Sequence, residues 1–243
     1  MHKKHIKILA KPKGRRFVIS DIHGCSKTFK ALVENKIQLT KEDNLFLLGD
    51  YIDKGIDSAG VIDYILYLKE NGYQIFPLMG NHELNLLEAS QEYNERMFQL
   101  FLKINKCKGI VNEELKIKPH YLDFFKSLPY YYELEDYHLV HAGFDFRNEK
   151  PFENYKAMLE IRRFQADTEL LKGKKIIHGH TPTNLTDIQK SIANNAPVIP
   201  LDNGSVYIKP HKVLDYKQLG NLCSLNLDSL ELILQRNVEQ ISH

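Results

Sequence analysis

Five segments of this chain carry residue types that could do chemistry: Asp21-Ile22-His23-Gly24, Gly49-Asp50-Tyr51-Ile52-Asp53-Lys54-Gly55, Gly80-Asn81-His82-Glu83, His141-Ala142-Gly143 and His178-Gly179-His180-Thr181-Pro182. Carboxylates, a carboxamide and imidazoles recur in them, with no cysteine among them. Oxygen and imidazole donors suit Mn, Fe, Zn or Mg, whereas a structural zinc is usually held by sulfur. Asp21 and His23 are one residue apart, so on an extended backbone of period two they point to one face and could grip one ion. Glycines beside the donors leave room for tight turns and close backbone approach.

These segments need elements that bring them together. Phe17-Val18-Ile19 reads as a short buried strand ahead of Asp21, Leu45 to Leu48 as a second ahead of Asp50, and Gln74 to Met79 as a third ahead of Asn81. Between them, Ser26 to Lys36 packs Phe29, Leu32 and Val33 as a helix, and Ser58 to Glu70 sets Val61, Ile62, Ile65, Leu66 and Leu68 at helical spacing. Strand and helix in alternation imply βαβ units, and in open α/β sheets ligand sites gather outside the carboxyl ends of the strands. From Glu83 to Lys126 the pattern is helical with long polar stretches, and Pro119 opens a helix there. This segment, about 84–127, could form a cap beside the cleft. Strands return at Tyr130 to Val140, Lys175 to Ile177 and Pro197 to Leu201. Leu225 and Leu227 then face Leu230, Leu232 and Leu234 across a turn at Asp228-Ser229. A second sheet follows. No repeat or linker divides the chain, so residues 1–243 read as one domain.

The 243 residues are enough for a sizeable core. Three scattered cysteines, Cys25, Cys107 and Cys223, an odd number without CxxC spacing, argue against a disulfide framework and for a reduced cytoplasm. Lys11, Lys13, Arg15 and Arg16 interrupt any apolar leader, and no apolar run approaches the roughly 18 residues of a membrane span. A soluble, cytoplasmic protein is expected, with no membrane partner. A formal charge of +2 and a pI of about 8.2 fall short of a nucleic-acid footprint. The basic amino-terminal arm is expected to be a solvated terminus without function.

Taken in order, the motifs resemble those of the calcineurin-like metallophosphoesterases, specifically the phosphoprotein phosphatase family and its compact bacterial and phage serine/threonine phosphatases. That pattern is GDxHG, GDxxDRG, GNHE, a later His-Ala-Gly or His-Gly-Gly, and GHTP. The resemblance runs from about Asp21 to Asp202, supported by Leu128-Pro129-Tyr130-Tyr131 and Leu201-Asp202-Asn203-Gly204. It implies an α/β fold with a central β-sandwich of mixed sheets flanked by helices, and an active site at the strand carboxyl ends. It also implies two divalent ions, with Mn²⁺ first by family habit and Fe, Zn or Mg as alternatives. Asp21 and His23 would bind the first ion, Asp50 would bridge, and Asn81, His141 and His180 would bind the second. His82 looks like the proton donor, Asp53 the residue that orients it, and Arg162 and Lys54 the phosphate-binding residues.

Two positions depart from the family pattern. Ser20 replaces a glycine with another small residue, while Lys54 replaces an arginine and offers a point charge without the fork that grips two phosphate oxygens. Arg163 adjoins Arg162 and could substitute for it. His178 and Cys25 read as packed residues rather than a ligand and a nucleophile. The activity implied is hydrolysis of phosphate monoesters, phosphoserine or phosphothreonine in proteins first, by direct attack of a hydroxide shared by the two ions. Hydrolysis of a dinucleoside polyphosphate such as diadenosine tetraphosphate is the alternative. A non-catalytic phosphate-binding module would show eroded ligands, and a nucleic-acid phosphodiesterase has only the basic terminus in its favour.

Overall fold

Side chains alternate faces along β2 (Arg16–Ile19) and β3 (Asn44–Leu47), and this alternation builds the molecule in layers. In the computed structural model, which describes residues 4–209 and 216–239, Phe17, Ile19, Leu45 and Leu47 pack beneath helices. Val18 and Phe46 point the other way, into a second sheet. The first sheet adds β4 (Gln74–Pro77), β9 (Asn221–Asn226) and β10 (Leu232–Arg236), in the order β10-β9-β2-β3-β4. The second comprises β1 (His5–Lys7), β5 (Tyr131–Glu133), β6 (Tyr137–Val140), β7 (Lys175–His178) and β8 (Val198–Pro200), in the order β1-β5-β6-β7-β8.

The sheets meet through Val18, Phe46, Cys223 and Leu225 on one side and Tyr132, Leu139, Ile177 and Ile199 on the other. Burying an aliphatic or phenylalanine side chain of this size contributes roughly 1.5–3 kcal/mol. Strands β2, β3 and β4 run parallel, as do β6, β7 and β8, so three carboxyl ends in each sheet open toward shared ground. Both faces of these strands are covered, which is why they read as continuous apolar runs. The mixed α/β sandwich is the fold that the motifs implied.

Helices flank the sandwich. α1 (Ser26–Ala31) passes into a wider π-helical turn over Leu32–Ile37, stopped at Gln38 with φ 49°, where the sequence suggested one regular helix. α2 (Ser58–Glu70) is capped by the Asp57 carboxylate, which accepts the Gly60 N–H. α3 (Asn81–Glu92), α4 (Glu95–Asn105) and α5 (Pro119–Ser127) fill the long helical segment, with Pro119 in the first turn of α5. Three further helices, α6 (Tyr155–Glu160), α7 (Thr168–Leu171) and α8 (Leu185–Ala193), lie in sequence left unassigned above. Ile188 of α8 is buried against the sandwich. No helix among the described residues is long and apolar enough to cross a membrane.

Two expectations are corrected. Tyr130 to Val140 is an antiparallel hairpin of β5 and β6 rather than one strand; its polar Glu133–Asp136 segment turns, and Leu134 N–H donates to Tyr137 O at 2.8 Å. The amino-terminal arm is not simply solvated: its β1 pairs in parallel with β5, His5 stacks on Tyr131 and Lys7 meets Glu133 at 3.0 Å. Arg16, the last base of that arm and the first residue of β2, is buried and holds Asp136 and Asp228 through its guanidinium.

The entry to β2 is fixed by Asp43. Its buried carboxylate accepts the Arg15 N–H at 2.7 Å, the Arg15 guanidinium at 2.8 Å and the Thr40 N–H at 2.9 Å. Burial raises the Asp43 pKa, but Arg15 and Thr40 outweigh it and hold the group down at about 2. Asp43→Ala should destabilise the fold by about 2–3 kcal/mol, read from urea unfolding at neutral pH. Because the folded pKa is depressed, the stabilisation is complete above the ordinary carboxylate pKa of 3.8 and fades as pH falls toward about 2. The difference between parent and variant should therefore shrink over that window.

Candidate metal centre

Each of the six central parallel strands delivers a polar residue within a few positions of its carboxyl end: Asp21 and His23 after β2, Asp50 after β3, Asn81 after β4, His141 after β6, His180 after β7 and Asp202 after β8. Two bonds close the seam between the sheets. Asp21 accepts the His180 N–H at 2.7 Å, and His141 Nδ1 donates to Leu48 O at 2.8 Å. Gly49, at φ +100°, lets its loop pass the Gly80 backbone, where a Cβ would come to 2.7 Å. A Cβ on Gly179 would lie 2.3 Å from the Asp21 carboxylate.

One donor group gathers Asn81, His141 and His180 beside Asp50. A carbonyl can only accept, so His141 carries its proton on Nδ1 and presents the Nε2 lone pair inward. That nitrogen lies 3.0 Å from Asn81 Oδ1, 3.2 Å from His180 Nδ1 and 3.5 Å from Asp50 Oδ1. Burial lowers the pKa of His141, and burial is the largest cause that brings that of His180 down to about 3. Both rings are therefore neutral, the form that ligates. Lone pairs held this closely and out of water call for a cation between them.

The other group contains His23, Asp50 and His82, whose ligand atoms lie within 4.8 Å of one another, as do those of Asp50, His141 and His180. His23 Nδ1 donates to Ile52 O at 3.0 Å, so Nε2 carries the lone pair; it lies 3.5 Å from Asp50 Oδ2 and accepts from Lys54 Nζ. Burial, then Lys54, lower the His23 pKa. Burial would raise the Asp50 pKa, but positive charge around it, from His82 and Lys54 among others, outweighs that and holds the carboxylate below its usual range. Oxygen and neutral-imidazole donors in two groups that share Asp50 fit a pair of divalent ions with one bridging carboxylate.

A strand pleat does not aim Asp21 and His23, contrary to what the period-two argument assumed. β2 ends at Ile19, His23 sits at φ 49°, and Asp21 turns to the His180 N–H and lies 3.5 Å from His141 Nδ1. Left-handed backbone, not the pleat, aims these side chains. Asp50, Asp53, Lys54 and His180 are left-handed too, at φ 52°, 69°, 61° and 68°. Such strain costs of order 1–3 kcal/mol per residue and collects where the surroundings over-determine a site.

A family model for calcineurin-like phosphoesterases matches residues 14–222. The chain belongs to the calcineurin-like phosphoesterase family. Among curated relatives, the symmetrical bis(5'-nucleosyl)-tetraphosphatase of Buchnera aphidicola subsp. Schizaphis graminum is 36% identical over 116 residues, covering 42% of this chain and 41% of that protein. The enzyme of the same name from Wigglesworthia glossinidia brevipalpis is 42% identical over 92 residues, covering 38% and 29%. These matches thus span well under half of the curated relatives' length. Among solved structures, a putative diadenosine tetraphosphatase superposes with a TM-score of 0.63 at 18% identity, covering 96% of this phosphoesterase and 97% of that chain. A protein serine/threonine phosphatase from Saccharomyces cerevisiae gives 0.58 at 16%, covering 98% and 84%. At such identity these two likenesses establish the shared fold.

Around the donors of this calcineurin-like phosphoesterase, His82 Nδ1 donates to Asp53 Oδ2 at 2.6 Å, and its Nε2 lies 3.8 Å from Asp50 Oδ2. Burial would lower the His82 pKa, but Asp50 and then Asp53 outweigh it, so the ring holds its proton more firmly than usual. Lys54 Nζ meets His23 Nε2 at 2.7 Å. Arg162 is exposed on the loop after α6, close enough for its charge to lower the His180 pKa, while Arg163 lines a separate hollow with Asp145 and Phe164. His178 is packed edge-on against Phe164, and burial pushes the Cys25 thiol up to about 12, so both are packed groups as expected.

Glu83 was quoted above within its motif but given no role. Its buried carboxylate accepts the N–H groups of Asp50 at 2.9 Å, Tyr51 at 2.8 Å, Ile52 at 3.2 Å and Gly80 at 3.0 Å, pinning the Asp50 loop to the turn before Asn81. The signal was its place at the third position of α3, where a carboxylate reaches back to bare N–H groups. Asp202 likewise had no assigned role; it is buried, its charge raises the Asp21 pKa, and burial pushes its own up to about 6. Glu83→Gln should lower divalent-ion affinity by about 10–100-fold in calorimetry while the far-ultraviolet circular dichroism stays that of the parent.

Proposed function

We propose that this chain hydrolyses dinucleoside polyphosphates, cleaving diadenosine tetraphosphate symmetrically with one water to give two molecules of ADP. The observation that carries this reading is the 36–42% identity to symmetrical bis(5'-nucleosyl)-tetraphosphatases. Family membership and the donor set support a metal-dependent phosphoester hydrolase; the relatives choose the substrate. Phosphoserine and phosphothreonine, ranked first from the motifs, give way because the only support for them here is a shared fold.

In this reading Asp50 serves both ligand groups, with Asp21 and His23 on one side and Asn81, His141 and His180 on the other. When bound, two divalent cations would supply Lewis acidity, bringing the pKa of a water toward neutrality and offsetting charge on the phosphoryl oxygens. Arg162 draws phosphates to the mouth of the site, and Lys54 grips a single oxygen, as a compact ammonium must. As the bridging P–O bond breaks, His82 gives its Nε2 proton to the departing phosphate oxygen, and Asp53 holds the ring through Nδ1–H. In this reading water is the nucleophile and no phosphoenzyme forms; the Cys25 thiol, which burial pushes up to about 12, takes no part.

Protein stripped of metal and restored with single ions should turn over best with Mn²⁺ and should release ADP from diadenosine tetraphosphate, followed by anion-exchange chromatography. Turnover of a phosphoserine peptide with the dinucleotide left intact would return the assignment to a protein phosphatase. His82→Asn should lower kcat by about 10²–10⁴-fold with metal content unchanged. Asp50→Asn should lose metal from both positions by elemental analysis, and a full complement of ions there would refute the bridge.

A further inference from the structure

Beside the ligand groups lies a hollow of about 310 Å³ whose residues, Lys54 apart, the mechanism leaves unused. Lys54 lines it, and the same ammonium touches His23, so hollow and metal centre share a wall. The lining is graded in chemistry. Lys54, Lys106 and Lys209 concentrate positive charge, with Lys106 Nζ tied to Lys54 O at 3.0 Å. Ile56, Val206 and Ile208 add apolar surface, and Ile56 remains 52% exposed. The Tyr207 ring lies across Gly204, where a Cβ would come within 2.5 Å of it and 3.5 Å of Pro182. Tyr207 thus gives the hollow an aromatic wall.

Glu239 completes the lining. Its Oε1 accepts the Thr28 N–H at 2.9 Å and hydroxyl at 3.1 Å, so its carboxylate is held by α1. Apolar and aromatic walls beside a cationic side that faces a phosphate-handling centre match a nucleoside joined to a phosphate chain. The volume is at the lower end of small-ligand clefts, about 300–1,000 Å³, enough for one such group.

We propose that this hollow is a nucleoside subsite. One adenosine of the dinucleotide rests on Ile56, Ile208 and Tyr207, and the polyphosphate runs past Lys54 to the metal ligands. This assignment rests on the dinucleotide reading above and names the group that would distinguish such a substrate from a phosphopeptide.

The test uses Ile56→Ala and Ile208→Ala, neither of which is a proposed metal ligand, in the metal-loaded full chain. Both should weaken ADP binding in calorimetry and raise KM for diadenosine tetraphosphate about tenfold, the equivalent of about 1.4 kcal/mol. Hydrolysis of p-nitrophenyl phosphate, which has no nucleoside, should stay at the parental rate. ADP affinity unchanged in both variants would overturn the subsite, whether or not the dinucleotide is cleaved. A parent that leaves the dinucleotide intact, with ADP binding still weakened in the variants, would overturn the substrate reading and leave the subsite standing. Should Ile208→Ala disturb the fold, the exposed Ile56 carries the test by itself.

Discussion

Electron-rich donors crowded together in a water-poor seam are the constraint around which this protein is organised. His23, His141 and His180 are held neutral by burial, while Asp50 stays ionised among them. Bringing such groups within 3.0–3.5 Å of one another is unfavourable unless positive charge enters the same space. Lys54 answers part of that demand at His23, and a divalent pair would answer the rest.

The surrounding fold meets the mechanical side of the same constraint. Six parallel strand ends bring the donors to one place, but the backbone must then turn sharply, and left-handed His23, Asp50, Asp53, Lys54 and His180 do the turning. Strain of this kind persists only under compensation from elsewhere. Glu83 supplies much of it, since one carboxylate gathers four N–H groups from two loops. Its pKa is pushed up by burial and by Asp50, a sign of how densely negative charge is packed there. The sandwich behind it is ordinary, with Val18, Phe46, Leu139 and Ile177 closing the two sheets.

Much of this was legible in the chain itself. The buried runs around Phe17–Ile19, Leu45–Leu48 and Ile176–Ile177 announced strands because apolar residues on both faces leave an uninterrupted signal. The polar clusters beyond them announced a site because their order and spacing are too particular for surface loops. Less legible were α6 and α7, each of six residues or fewer, and the hairpin inside 130–140, where a short polar turn breaks one apolar stretch. The pairing of His5–Lys7 with β5 was invisible because its partner lies more than 120 residues away.

By itself, then, the sequence determined the family, the layered α/β architecture and the set of side chains able to bind metal, since those follow from residue type, periodicity and order. Only the tertiary structure decided how these side chains meet: Asp21 on the His180 N–H, Lys54 on the His23 ring, and Glu83 as the anchor of the Asp50 loop. The reason is physical. Aim depends on φ at each loop residue and on hydrogen bonds between segments far apart in the chain, and neither leaves a local imprint on composition or spacing.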